Sequence, residues 1–262
     1  MEEHSEATVR KYANAVTDFY NFLPAGKEAS KEHLLEWKAQ ISGHCKASTV
    51  NVMISAVNSF FESVSRHDLR IRQIKTQRKI YRDRNRELTK EEYFRLLDTA
   101  LESGNLRLYY LMQTLASTGI RISELQFITV ESLKNGQEVV DCKGKQRVVF
   151  IMQKLCSELL EYCEKNGIST GSVFVTKYGN PMDRSNIWKD IRKLCDTANV
   201  EKSKVFPHNF RHLFAVTYYR QQKDMAKLAD LLGHSSIDTT RIYIMESGTE
   251  HERQIEQLGL VV

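Results

Sequence analysis

Apolar residues recur at spacings of three and four along almost the whole chain, and this periodicity restricts it to a mainly helical fold. Val9, Tyr12, Ala13, Val16, Phe19 and Tyr20 form a first stripe, ended by Pro24 and Gly26. A shorter helix is predicted from Ser30 through Leu34, Leu35, Trp37, Lys38 and Ile41. Val50, Met53, Ile54, Val57, Phe60, Phe61 and Val64 make the clearest stripe, read as core, with Ser48 as its N-cap. Together these form a compact helical unit of about half the usual domain size.

Thr89 and Glu92 make a capping box ahead of Tyr93, Leu96, Leu97, Ala100 and Leu101, which opens a second helical domain. Helices are predicted over Leu106–Ser117, stopping at Gly119, and over Ile122–Phe127. The one convincing β segment is Glu138–Asp141 and Arg147–Ile151 around a K-G-K-Q turn. Helices resume at Lys154–Glu164, Asn186–Ala198, Pro207–Gln222, Met225–Leu232, Ile237–Tyr243 and Glu250–Leu258, with Pro207 suited to a first helical position. The expected organisation is a helical domain over residues 1–74, a linker over 75–88 and a second domain over 89–262 that ends in a tail helix, 249–262.

Composition enters by exclusion. With 41% hydrophobic and 27% charged residues, 3 Pro and 12 Gly, the chain is an ordinary globular sequence, neither disordered, collagen-like nor a disulfide mini-scaffold. No apolar stretch approaches the roughly 18 residues that span a bilayer, and MEEHSEATVRKY has no signal core, so a cytosolic protein with no membrane partner is expected. Its five cysteines, Cys45, Cys142, Cys156, Cys163 and Cys195, contain no C-x-x-C, and reduced, mostly buried thiols are expected.

The formal charge of +5 is unevenly spread. From Arg66 to Lys90 there are seven Arg and three Lys against Asp68, Asp83 and Glu87, a net +7, so the rest of the chain is slightly acidic. Such a strip is either a solvated linker or a footprint for phosphate, whose neutralisation releases counterions.

Four segments carry chemistry: STGIRISEL around Arg121, DCKGKQR around Lys143 and Lys145, FPHNFRHLFA around His208, Arg211 and His212, and LLGHSSIDTTRIY around His234 and Tyr243. Taken singly each has an ordinary structural reading: a surface arginine, a turn lysine, a core tyrosine. His208 and His212 have the i, i+4 spacing of zinc helices, but Asn209 stands where the catalytic Glu should be and Arg211 would set a cation between two metal ligands. No metal is expected.

In this order and spacing the four segments closely resemble the tyrosine site-specific recombinases, the family of phage integrases and Xer-type proteins. The motifs are T-G-x-R-x-S-E-L, a lysine on a β-hairpin turn, P-H-x-x-R-H, and L-L-G-H-S with a tyrosine nine residues after its histidine. The resemblance implies a mainly α fold with a small β-hairpin: a SAM-like core-binding domain and a catalytic domain that clamp duplex DNA. It implies that Arg121 and Arg211 bind the scissile phosphate beside Lys143, His208 and His234, with Tyr243 as nucleophile. Two bidentate guanidinium forks match the charge that builds on non-bridging oxygens, so neither metal, ATP nor other cofactor is required. A phenol must shed its proton as it attacks, and His208 is the expected base. Lys143 is the expected acid for the 5′ oxygen, although the turn is one residue shorter than the family's G-K-G-x-K-x-R, which leaves Lys145 as the alternative. Glu124 and His212 are expected to support the arginine and histidine side chains. Arg72, Lys75, Arg78, Lys79, Arg82 and Arg84 are the candidate contacts to the DNA backbone.

The implied activity is site-specific recombination through a 3′-phosphotyrosyl intermediate and a Holliday junction, the reaction of a cytoplasmic, nucleoid-associated enzyme. The implied partners are double-stranded DNA with an inverted-repeat site, and three further copies of the chain in a homotetramer on DNA, with a monomer in free solution allowed and room for an accessory directionality factor. The tail either docks on a neighbouring protomer or packs back on its own domain. A type IB topoisomerase-like relaxing enzyme and a non-catalytic architectural DNA-binding protein are the competing readings. The full set of six site residues speaks against the second, because phosphate affinity alone does not need the tyrosine.

Overall fold

A computed structural model describes residues 6–24, 26, 28–76, 86–142, 145–244 and 256–258, with the backbone only at Cys142, Lys145 and Ile244. Lys143, the side chain of Lys145, the linker residues Arg78, Lys79, Arg82 and Arg84, and the expected tail helix apart from residues 256–258 lie outside the described residues. The chain divides into two compact units, Met1–Lys79 and Ile80–Val262.

The first unit packs α1 (Glu6–Phe22), α2 (Lys31–Ser42) and α3 (Ala47–Ser63) around Phe19, Leu34, Trp37, Ile54, Val57 and Phe61. Ser30 starts α2 as expected, its side chain accepting from the His33 N–H at 3.3 Å. The Ser48 cap is corrected: α3 begins at Ala47, because the Lys46 carbonyl already accepts from Thr49 and Val50 at 2.8 and 3.0 Å. The predicted stripes are also wider than the core, for Val9, Tyr20, Phe60 and Val64 are exposed. Two asparagines on α3 pin the chain that follows. Asn58 donates to and accepts from the Ile71 backbone at 2.9 and 3.1 Å, and Asn51 does the same to Ile74 at 2.9 and 2.8 Å. The segment is thereby held with Ile71 inward and Arg72 and Lys75 exposed.

The second unit contains α4 (Lys90–Glu102), α5 (Leu106–Thr118), α6 (Val130–Asn135), the antiparallel pair β1 (Gln137–Cys142) and β2 (Lys145–Phe150), α7 (Gln153–Lys165), α8 (Arg184–Lys193), α9 (Pro207–Gln222), α10 (Met225–Leu232) and α11 (Ile237–Ile244). In the hairpin Val139 faces Val148 and Cys142 faces Lys145. The Thr89–Glu92 capping box closes in both directions, and Pro207 occupies the first turn of α9. Leu96, Leu111, Leu115, Leu159, Ile187 and Phe210 form the core. α5 stops at Gly119, whose φ of +62° and contact with the Phe214 ring, 2.5 Å from where a Cβ would sit, admit only glycine.

Three elements differ from their sequence expectation. Ile122–Phe127 is a 3₁₀ turn rather than an α-helix, since Glu124 N–H bonds to the Arg121 carbonyl and its carboxylate is drawn onto arginines. α8 starts earlier, capped by Asp183, and ends at Lys193 rather than at Ala198. The short helix α6 was not anticipated, although Thr129 and Ser132 cap it reciprocally and Gly136 ends it. Cys156, Cys163 and Cys195 are buried free thiols and Cys45 is half-buried. Among the described residues no helix is long and apolar enough to cross a membrane.

Candidate active site

The site is organised by the C-terminus of α10. A helix end leaves its last carbonyls without partners and carries partial negative charge, so it attracts cations. Here three successive carbonyls each receive an arginine. Arg147 Nη1 donates to Leu231 at 2.6 Å, Arg211 Nη2 donates to Leu232, and Arg121 Nη2 donates to Gly233 at 3.3 Å. Gly233 makes this possible: its φ is +63°, and a Cβ there would lie 2.3 Å from Arg147 Cδ. The L-L-G-H sequence is therefore a helix stop that gathers three guanidinium groups from β2, α9 and the turn after α5.

Glu124 completes the cation cluster. It is buried, accepting from Arg121 Nη1 at 2.7 Å on one oxygen and from Arg147 Nη2 at 2.7 Å on the other. Burial works to raise its pKa, but the Arg121 hydrogen bonds and the Arg147 charge outweigh burial and hold it below the ordinary Glu value. One carboxylate thus locks two arginines into one geometry while the cluster keeps a net positive charge.

Arg211 is 2% exposed and also donates to the Gly119 carbonyl at 2.5 Å. Burial, and then the Arg121 charge, lower its pKa to about 10, with Tyr243 opposing the shift, so it stays charged at neutral pH. His234 follows Gly233 directly. Its Nε2 lies 3.1 Å from Arg211 Nη2 and its Nδ1 2.8 Å from Thr240 Oγ1, a pattern that fits a neutral ring protonated on Nδ1. Burial and the nearby Arg211, Arg121 and Arg147 charges lower the His234 pKa to about 4.

Tyr243 on α11 turns inward and is 5% exposed. Its ring stacks on His234 and His212, each with centroids 5.6 Å away, and its hydroxyl lies 3.0 Å from His208 Nε2. The spacing of α9 explains the grouping: His208, Arg211 and His212, at i, i+3 and i+4, share a face. An open groove of about 980 Å³ runs alongside, lined among others by Arg121, Arg147, Gln146, Lys227 and His234.

Of the residues singled out in the sequence, Arg121, Glu124, His208, Arg211, His212, His234 and Tyr243 are brought together by these contacts. Lys143 lies outside the described residues, and so does the side chain of its alternative, Lys145. The residue the sequence reading missed is Arg147. The terminal arginine of the hairpin pattern, G-K-G-x-K-x-R, was its only signal.

The model of the phage integrase family matches residues 86–250, and that of the phage integrase N-terminal SAM-like domain matches residues 1–67. Tyrosine recombinase XerH of Campylobacter jejuni is 29% identical over 251 residues, covering 87% of this chain and 71% of that protein. A crystal structure of XerH bound to palindromic difH substrate, a post-cleavage complex, matches with a TM-score of 0.75 at 19% identity, over 95% of this chain and 79% of that one. A lambda integrase tetramer bound to a Holliday junction matches with a TM-score of 0.72 at 17% identity, over 92% of this chain and 72% of that one.

Proposed function

This chain belongs to the phage integrase family of tyrosine recombinases, enzymes of site-specific DNA recombination, and from that premise we propose how its own residues divide the work. Arg121 and Arg211 hold the non-bridging oxygens of the scissile phosphate, and His234 hydrogen-bonds the same group. Tyr243 Oη attacks phosphorus. Its proton passes to His208 Nε2, the bond from phosphorus to the 5′ oxygen breaks, and that oxygen takes a proton from Lys143, with Lys145 as the alternative donor. The new 3′-phosphotyrosyl ester conserves the energy of the broken bond, and reversal of the same steps joins the 5′ hydroxyl of a partner strand. Glu124 and His212 act through the groups they hold.

The observation that carries this reading is the contact between the Tyr243 hydroxyl and His208 Nε2, 3.0 Å, in a cluster that also contains Arg211 and His234. The likeness to recombinases solved on DNA, one of them a tetramer on a Holliday junction, supports a duplex substrate with inverted repeats and a homotetramer on that site; work in the cytoplasm at the nucleoid is proposed with it, as the setting in which such an enzyme meets DNA. Arg72 and Lys75, both exposed, are proposed to meet the DNA backbone together with Arg78, Lys79, Arg82 and Arg84. The domain division proposed is core-binding 1–74, linker 75–88 and catalytic 89–262.

The test is a nicked suicide duplex carrying the cognate site, from which the short cleaved strand diffuses away. Covalent trapping without added metal or nucleotide is expected, together with recombinant product from two sites. Relaxation of any supercoiled plasmid without recombinants would instead mark a topoisomerase-like relaxing enzyme.

A further inference from the structure

α9 presents two adjacent strips of residues. His208, Arg211 and His212 face the reaction centre, and at the edge of that face His212 and the neighbouring Asn209 also meet the chain that enters the catalytic unit. Asn209, fully buried, donates from Nδ2 to the Arg86 carbonyl at 2.8 Å and to the Lys204 carbonyl at 2.7 Å. His212, 2% exposed, sets its Nε2 3.4 Å from Glu87 Oε2 and stacks its ring on Tyr243. The Arg86 backbone is therefore held by a hydrogen bond, and the Glu87 carboxylate faced at ion-pair distance, by two buried side chains of the helix that carries His208 and Arg211. Glu87 is also one of only three acids in the cationic strip from Arg66 to Lys90. Its position at the end of that strip is what brings it opposite His212.

We propose that Glu87 is a positioning residue for the strand-transfer reaction, acting through His212 on the ring of Tyr243. The carboxylate 3.4 Å from Nε2 makes an electrostatic contact rather than a hydrogen bond; it favours a proton on that nitrogen and restrains where the imidazole sits. The imidazole in turn stacks on the tyrosine ring and, with His234, lines the slot that holds it. Attack requires the phenol oxygen to stay within hydrogen-bond reach of His208 and in line with the phosphate, and small misplacement of a nucleophile costs rate steeply. Glu87 touches no reacting atom. Its contribution is the fixed orientation of the slot, and the Asn209 bonds to Arg86 and Lys204 hold the segment in register.

The inference rests on Tyr243 as nucleophile, and the experiment separates the two claims. Single-turnover trapping is measured at saturating suicide duplex for wild type, Glu87→Gln, Glu87→Asp, His212→Gln and the Glu87→Gln/His212→Gln double variant, with duplex Kd and Tm for each. Glu87→Gln is expected to slow trapping about ten-fold, with Kd and Tm as in wild type, and Glu87→Asp to recover part of the rate. In the His212→Gln background the Glu87 substitution should have no further effect. Wild-type rates in Glu87→Gln, or losses that multiply in the double variant, would overturn the positioning role while leaving the nucleophile assignment intact. A rate loss matched by a fall in Tm would reduce Glu87 to a structural contact. Absence of trapping by wild type itself would overturn the strand-transfer reading and this inference with it.

Discussion

The hydroxyl of Tyr243 lies 3.0 Å from Nε2 of His208, and the same tyrosine ring stacks on both His212 and His234 in one slot. The slot would hold a phenyl ring equally well. Tyr243→Phe is therefore expected to fold, to bind duplex with wild-type affinity in a mobility-shift assay, and to form no covalent adduct. His208→Gln removes the proposed proton acceptor and should slow trapping by about 10²–10⁴-fold. An adduct that persisted in the Phe variant would shift the nucleophile to Tyr218 or Tyr219, which pack against the same apolar cluster.

Glu124 is 2% exposed and bridges Arg121 and Arg147, so its neutral replacement leaves buried positive charge uncompensated. Removing one member of a buried pair costs about 3–5 kcal/mol, and Glu124→Gln should lower Tm by on the order of 10 °C. The sign with pH follows from its lowered pKa. The unfolded chain takes up this proton at the ordinary Glu value, near 4.3, before the folded protein does. The stabilisation is thus whole at neutral pH and is lost as pH falls below that value toward the folded pKa. Calorimetric scans from pH 7 to 3 should show a shallower acid limb in the Gln variant.

Local signals were legible where the physics is local. The capping box at Thr89, Pro207 at the head of α9, and the glycine stop at Gly119 depend on residues within one turn, and each stands where the sequence puts it. Arg147 had no signal beyond the terminal arginine of the hairpin pattern, because its partners are 23 residues away at Glu124 and 84 away at Leu231, and nothing in a strand pattern announces them. Glu87 was hidden for the same reason, and in the charge count it figured only as an exception. The exposed Phe60 and Val64 show the converse limit: a stripe reports the face that can be buried, while a three-helix unit has core enough for only part of it.

His234 Nε2 faces Arg211 and its pKa is lowered to about 4, yet donation to a phosphate from Nε2 needs a proton there. DNA binding should therefore either shift the ring proton from Nδ1 to Nε2 or draw up to about one proton per protomer near pH 6. Titration calorimetry in buffers of different ionisation enthalpy measures this uptake, and His234→Asn should abolish it. Heats that do not vary with buffer in wild type would mean that His234 stays neutral on the phosphate. In the free protein the unfolded chain protonates this ring near 6.5, so the lowered pKa makes stability fall as pH drops from about 6.5 to 4.

The cationic strip predicts the salt dependence of binding. Each phosphate contact contributes about 0.9 to the slope of log K against log salt, so neutralising Arg78, Lys79, Arg82 and Arg84 together should reduce that slope by up to about 3 to 4. Fluorescence anisotropy across a salt series gives the slope directly. An unchanged slope with weakened binding would remove these residues from the DNA backbone and leave the strip a solvated tether.

Gly233 tests whether the helix stop or the arginine behind it matters more. Its φ of +63° costs an L-residue about 1–2 kcal/mol, and the added methyl would meet Arg147 Cδ at 2.3 Å. Gly233→Ala should then displace Arg147 from Glu124 and from the Leu231 carbonyl, with a Tm loss larger than backbone strain alone provides. In an Arg147→Ala background the clash is gone and only the strain remains, so the same substitution should cost about 1–2 kcal/mol there. Equal costs in the two backgrounds would show that Arg147 yields without penalty and that the carbonyl cradle does not depend on it.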